Sequence, residues 1–214
     1  QMFADLNRHA VRPSRSIGVL YDHRDEISEV SRSVVVNLPF FRELVEMEKS
    51  TLSARSKRLF TFSALYGANA ALLSELSYET DEAISIATEF WNAVSEAIPE
   101  WELVRTRKLT AGEVREDFIH THGVVLQAMG RAGNALIDSD PNGWASRLKS
   151  LGEIDWSRGN AKLWEGRAMH AGRLSKATRS VILTTNVIKE KLGLDLSADE
   201  QKLEMEVTGA SSDG

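Results

Sequence analysis

The sequence predicts a mainly α-helical fold, arranged as a bundle. Apolar residues recur at helical spacing through most of the 214 residues, as in Ile27, Val30 and Val34. Two capping boxes, Thr110 with Glu113 and Ser197 with Glu200, mark helix starts. Pro39, Pro99 and Gly193 mark helix ends. A short extended stretch at residues 17–20 leaves room for a small α/β portion at the amino-terminal end, completed by residues outside this chain.

Taken in order, residues 1–9 read as a short helix, and residues 11–16 as a basic turn in which Pro13 stops it. Asp22 or Asp25 is placed to cap a helix running to Asn37. Beyond Pro39, the residues Phe40, Phe41, Leu44 and Val45 form an apolar cluster. Residues 46–58 are polar and read as a short hairpin or a loop. A buried helix is expected over 59–76, with Gly67 and Ala68 suited to close packing. The next helix, 81–97, is expected to be capped by Thr80 or Asp81, with its acids on one side and Phe90 and Trp91 on the other. A helix from Thr110 to about 119, a turn or continuation at 120–123, and a helix over 124–137 follow. Residues 138–143 form a turn, 144–151 a short helix, 152–159 a loop and 160–169 another short helix. A longer helix is expected over 175–191, and a last one from Ser197. The expected division is an end of a small α/β domain at 1–58, a helical domain at 59–207 and a disordered tail at 208–214.

Composition narrows the chemistry. Apolar residues make up 42% of the chain, which is enough for a real core, and the five tryptophans suit core or interface anchors. Cysteine is absent, which excludes disulfides, thiolate metal sites and cysteine nucleophiles and fits a reducing cytoplasm. No apolar run is long enough to span a membrane, and the start lacks the apolar region of a secretion signal. Gln1 opens a helical-looking run, so a longer parent chain is expected. The net charge of −5 is unevenly spread. Residues 59–104 hold eight acids and no base, whereas 105–191 hold fifteen bases against nine acids. Such segregation suits a molecule with one basic and one acidic face, although solvated charge on unrelated surfaces gives the same count.

Four constellations could carry chemistry. Asn7, Arg8, Arg12, Ser14 and Arg15 crowd a helix end and a turn, where guanidinium forks and hydroxyls hold phosphate oxygens; an arginine-rich surface turn is the plain alternative. Asp22, His23, Arg24 and Asp25 form a possible polar site, a histidine between carboxylates, or else a helix cap with an ion pair. Arg55, Lys57 and Arg58 form a basic cluster, with Arg105, Arg107 and Lys108 as companions that would converge on one face. Asp117, His120 and His122 have poor spacing for a metal, since histidines two apart diverge on a helix. A helix-turn-helix reading of 110–136 would leave only Gln127 and Arg131 to read bases, and core packing accounts for that segment better.

The run QMFADLNRHAVRPSRSIGVLYDHRD, followed by EKSTLSARSKRLFTFSALYGANAALL, resembles the central portion of DndB-type, DGQHR-domain proteins of bacterial DNA phosphorothioate modification. The likeness is densest over residues 1–75; farther on it rests on helical character and on GEIDWSR and KLWEGR. The DGQHR motif itself does not occur in this chain and is expected upstream of Gln1. The resemblance implies a ParB/sulfiredoxin-like portion at the amino-terminal end, in which Asn7 and Arg8 match a phosphate-binding element. It further implies a DNA-binding repressor of the modification gene cluster, acting as a homo-oligomer on promoter DNA. Two other readings remain. One is a nucleotide-binding hydrolase or nuclease using magnesium, with Asn7, Arg8, His23 and Asp25 lining its site. The other is a scaffold that docks other phosphorothioation proteins through the acidic helix and the tryptophans.

Overall fold

The computed structural model describes residues 26–210. The expected first helix, basic turn and extended stretch lie outside that range. Helix α1 (Glu26–Asn37) buries Val30, Val34 and Val35. Leu38 takes an extended conformation, and Pro39 then occupies the first turn of α2 (Pro39–Leu44). Proline thus ends one helix and begins another, because its missing N–H is no loss in a first turn. The same device recurs at Pro99, which follows α4 (Thr80–Ala97) and opens α5 (Pro99–Arg105). At the start of α4 the expected caps are themselves helical: Glu79 takes the cap position and its side chain makes no cap bond.

Strand β1 (Val45–Glu46) pairs in parallel with β2 (Phe60–Thr61), with Val45 opposite Phe60. The segment between them is therefore a crossing loop and not a hairpin, which would need antiparallel strands. That pairing keeps residues 59–61 extended, so helix α3 (Phe62–Leu72) is shorter than the apolar pattern implied. Thr61 Oγ1 caps it by accepting from the Ala64 amide at 3.3 Å.

Helix α6 (Ala111–Asp117) has the full capping box, with Thr110 and Glu113 bonded in both directions. The turn at 119–122 leads into α7 (Gly123–Ser139), which buries ten of its residues. That burial packs α7 into the core, while a narrow stripe holding Gln127 and Arg131 stays exposed. Helix α8 (Trp144–Arg147) tightens into a 3₁₀ turn (Leu148–Glu153). Helix α9 (Ala161–Trp164) is a single turn. The helix expected over 160–169 thus stops early, and in the gap before the next one β3 (Met169–His170) and β4 (Arg173–Leu174) form an antiparallel hairpin. Its two-residue loop, Ala171 and Gly172, has positive φ at both positions, the geometry that matches strand twist. Helix α10 (Thr178–Lys191) ends at Gly193, whose φ of 69° is the left-handed stop. Helix α11 (Ala198–Ala210) starts from the Ser197–Glu200 capping box. It runs three residues into the stretch expected to be a disordered tail; the Thr208 hydroxyl bonds back to the Glu204 carbonyl at 2.9 Å.

Helices α3 and α7 form the most extensive helix pair. They run parallel: a methyl added at Gly123 would meet Ala64, one at Gly130 would strike the Ala68 carbonyl, and one at Gly133 would strike Leu72 and Phe90. Glycine is required at 130 because backbone meets backbone there. Gly67, expected to serve that packing, has nothing within 4 Å where a side chain would begin among the described residues; Ala68 is the buried partner.

All five tryptophans are core residues, with at most 7% exposure at Trp144, so they are not docking anchors. Trp156 and Trp164 stack on each other, with ring centroids 5.5 Å apart. The Trp91 indole donates to Asn69 Oδ1 at 2.7 Å, and Asn69 Nδ2 donates to Ser31 Oγ at 2.9 Å, tying α4, α3 and α1 through buried polar groups. The Trp101 indole donates to His120 Nδ1 at 3.0 Å. That bond leaves the ring proton on Nε2 and the imidazole neutral. Glu100 lies 3.7 Å from Nε2, near enough to pair with a charged ring, yet burial first and His122 second push the His120 pKa down to about 3. Among the described residues no helix is long and apolar enough to cross a membrane.

Two outcomes are expected. Gly130→Ala should lose about 2 kcal/mol or more of stability by overpacking, whereas Gly67→Ala should be neutral or gain up to about 1 kcal/mol from helix propensity; urea denaturation of both variants compares them. The depressed His120 pKa means that the unfolded chain takes up a proton near its ordinary pKa of 6.5 while the fold refuses it down to about 3. Stability from this group is complete above the unfolded value and falls as pH drops through that window, by about 2 kcal/mol between pH 6.5 and 5. His120→Gln, which keeps an acceptor for Trp101, should flatten that part of the stability–pH curve; an unchanged slope would assign the acid loss to other groups.

Candidate phosphate-binding face

The loop between β1 and β2 carries the basic cluster expected from sequence. Residues 53–58 lie against the first turn of α6, with the Ala54 carbonyl 3.0 Å from where a side chain would begin at Gly112. Arg115, on α6, reaches back into this loop. Its guanidinium donates to the carbonyls of Ser53 at 2.9 Å, Ala54 at 3.0 Å, Ser56 at 3.2 Å, and Arg58. A loop with few side-chain anchors is thereby fixed by one cation bonded to four main-chain oxygens. Burial lowers the Arg115 pKa, and no carboxylate contributes to the shift.

Arg55 and Lys57 point out of this clamped loop and are exposed. Neither forms an ion pair among the described residues. Arg58 is half-buried and donates to the Glu43 carbonyl. Arg105 approaches the Glu43 carboxylate at 3.5 Å and makes a two-pronged bond to Glu102, at 2.6 and 2.7 Å. The two basic clusters therefore meet around Glu43. Arg58 and Arg105 are largely engaged there, while Arg107 and Lys108 are exposed beside them.

Next to the loop lies a groove of about 530 Å³. Its walls are loop residues 50–52, the starts of α3 and α7, and α10 with the preceding Lys176. Thr61, Ser63 and Thr121 supply hydroxyls, Arg115 and Lys176 supply charge, and among the described residues no carboxylate lines it. A second hollow of similar size shares Gly67 and Gln127 with the first and continues past Asn134 and Lys189. Lys176 and Val181 flank the start of α7, while Thr185 and Lys189 flank its later turns, so α10 runs in the same sense as α3 and α7.

His122 sits at the head of the groove, at the N-cap of α7, and its side chain makes no cap bond. Its Nε2 donates to the Arg115 carbonyl at 3.1 Å. Arg158 Nη2 lies 3.4 Å from the same nitrogen, where the proton leaves it a neighbour and not a donor. Burial chiefly, and then the charges of Arg158, Arg115 and Lys176 against the carbonyl's opposing pull, bring the His122 pKa down to about 4. The ring thus stays neutral among three cations.

The other constellations fare differently. Asn7, Arg8, Arg12, Ser14, Arg15, Asp22, His23, Arg24 and Asp25 lie outside the described residues. His120 is buried in the aromatic core and His122 faces the groove. Among the described residues no group of three metal-ligating side chains comes together. Arg115, Arg158 and Lys176 were not singled out from sequence. Each stands isolated in the chain, and only folding gathers them around His122.

No curated protein and no solved structure matches this chain. The family model described as DndB, DNA-sulfur modification-associated, matches residues 1–195, well beyond the first 75 residues in which the likeness was most visible. The helices that build this face thus fall within the family's own span, and the chain belongs to the DndB family of DNA-sulfur modification-associated proteins.

Proposed function

We propose that this protein is a DNA-binding regulator that represses a bacterial DNA phosphorothioate modification gene cluster. Membership of the DndB family supplies the biological setting. The observation that carries the reading is the loop clamped by Arg115, which holds Arg55 and Lys57 outward without carboxylate partners among the described residues. Fixing the loop in advance lowers the ordering cost of contacting a phosphate backbone. Arg107 and Lys108 extend the same basic surface, and Arg58 positions the loop through Glu43. Arg8, Arg12 and Arg15, with Asn7 and Ser14, are proposed as further phosphate contacts. The exposed acids of α4 (Asp81, Glu82, Glu89 and Glu96) repel a polyanion, so they favour approach from the basic side.

Replacing Arg55 and Lys57 together by Ala tests the reading. Binding to the promoter of the modification genes should weaken, and the slope of log affinity against log salt should flatten by about 2, one counterion release per lost contact. Fluorescence anisotropy over a salt series measures both. The double variant's melting temperature should stay within a degree or two, because neither side chain is buried. Wild-type affinity and slope in the variant would remove the loop from the DNA interface.

A further inference from the structure

We infer that the groove at the amino-terminal ends of α3, α7 and α10 is a binding site for the phosphate group of a small phosphate ester, distinct from the DNA-contacting loop. The inference goes beyond the regulatory reading and does not rest on it.

Three independent features lead there. The first is backbone electrostatics. Parallel α3 and α7, with α10 running alongside, bring three helix starts to one place. Each start carries partial positive charge; Thr61 caps one N–H at α3, while α7 and α10 have no side-chain cap. Like ends held together repel, and an anion among them relieves the repulsion. Helix α7 is 17 residues long, and its N-cap residue His122 supplies no side-chain acceptor.

The second feature is uncompensated side-chain charge. Arg115, Arg158 and Lys176 all act on His122, and none of the three forms an ion pair with a carboxylate among the described residues. Arg158 Nε is buried and has no hydrogen-bond partner among the described residues. A cluster of cations is costly to assemble unless an anion completes it.

The third feature is a buried hydroxyl. Thr121 lines the groove, is only 5% exposed, and its Oγ1 has no hydrogen-bond partner among the described residues. A hydroxyl left unpaired at such a place costs stability, and a phosphate oxygen would satisfy it. Thr61 stands on the same wall. The groove continues past Gln127 into the second hollow, where Asn134, Arg131 and Lys189 stand with Glu75 and Glu200, so the body of an ester would meet polar groups of both charges there. A walled groove of this kind suits a small ligand better than a rigid duplex backbone.

Calorimetric titration of inorganic phosphate into the whole chain, near neutral pH and at low ionic strength, tests the proposal. One phosphate should bind per chain. Lys176→Ala and Thr121→Val should each weaken it about tenfold or more, the worth of a hydrogen bond to a charged group, with both variants folded by circular dichroism. Lys176 is exposed, so its variant keeps the test valid if the threonine variant unfolds. Wild-type phosphate affinity in the Lys176 variant, or no saturable binding by the wild type, overturns the site. A promoter duplex added to the phosphate-loaded protein identifies the source. Retained phosphate supports a small ester, and stoichiometric displacement assigns the site to the DNA backbone and defeats the inference. The Arg55 and Lys57 double variant should keep wild-type phosphate binding, so the two readings fail separately.

Discussion

Two helices that touch through their backbones have little freedom in how they lie, and the contact between Gly130 and the Ala68 carbonyl imposes that restriction here. It fixes α3 against α7 at close range and, with Ala64 against Gly123 and Leu72 against Gly133, in parallel. Parallel neighbours cannot be joined by a short turn. The 50 residues between Leu72 and Gly123 are the long return that the arrangement needs, and α4, α5 and α6 occupy it. Those helices bring Trp91 and Trp101 against Phe41 and Phe60 and deliver Arg115 to the β1–β2 loop. The close contact, the long return and the basic loop are therefore linked consequences of one packing requirement.

Arg115 shows how a charge serves architecture and surface chemistry together. Its guanidinium is used against carbonyl oxygens, so it neutralises nothing, and its positive charge remains available to the groove it lines. Arg58 and Arg105 behave differently. They meet at Glu43, where one takes the main-chain oxygen and the other the carboxylate. Side chains of one type, close in space, thus divide into a clamp, a pair of struts and the outward-facing Arg55.

Helix existence was legible in the sequence wherever a local signal sufficed. The capping boxes at Thr110 and Ser197 formed as their spacing required, and Gly193 stopped its helix. Extents were harder. Residues 59–61 look helical in apolar pattern but are held extended by a parallel partner fifteen positions earlier. The hairpin at 169–174 was hidden because Ala171, not glycine, takes the first positive φ, and Glu165 supports its turn by accepting from the Gly172 amide at 3.2 Å. The basic cluster at 55–58 could be read from composition. The groove could not, because Arg115, Thr121, Arg158 and Lys176 are spread over four separate segments and share no spacing rule.

The common direction of α3, α7 and α10 has an effect that no side-chain substitution can remove. Peptide units aligned along one axis place partial positive charge at their shared end, beside the groove. An anion entering the groove would therefore meet a field set by chain direction, and that field weakens as salt shortens its reach. Part of the groove's field is written in chain direction, beneath the reach of charge-reversal mutagenesis.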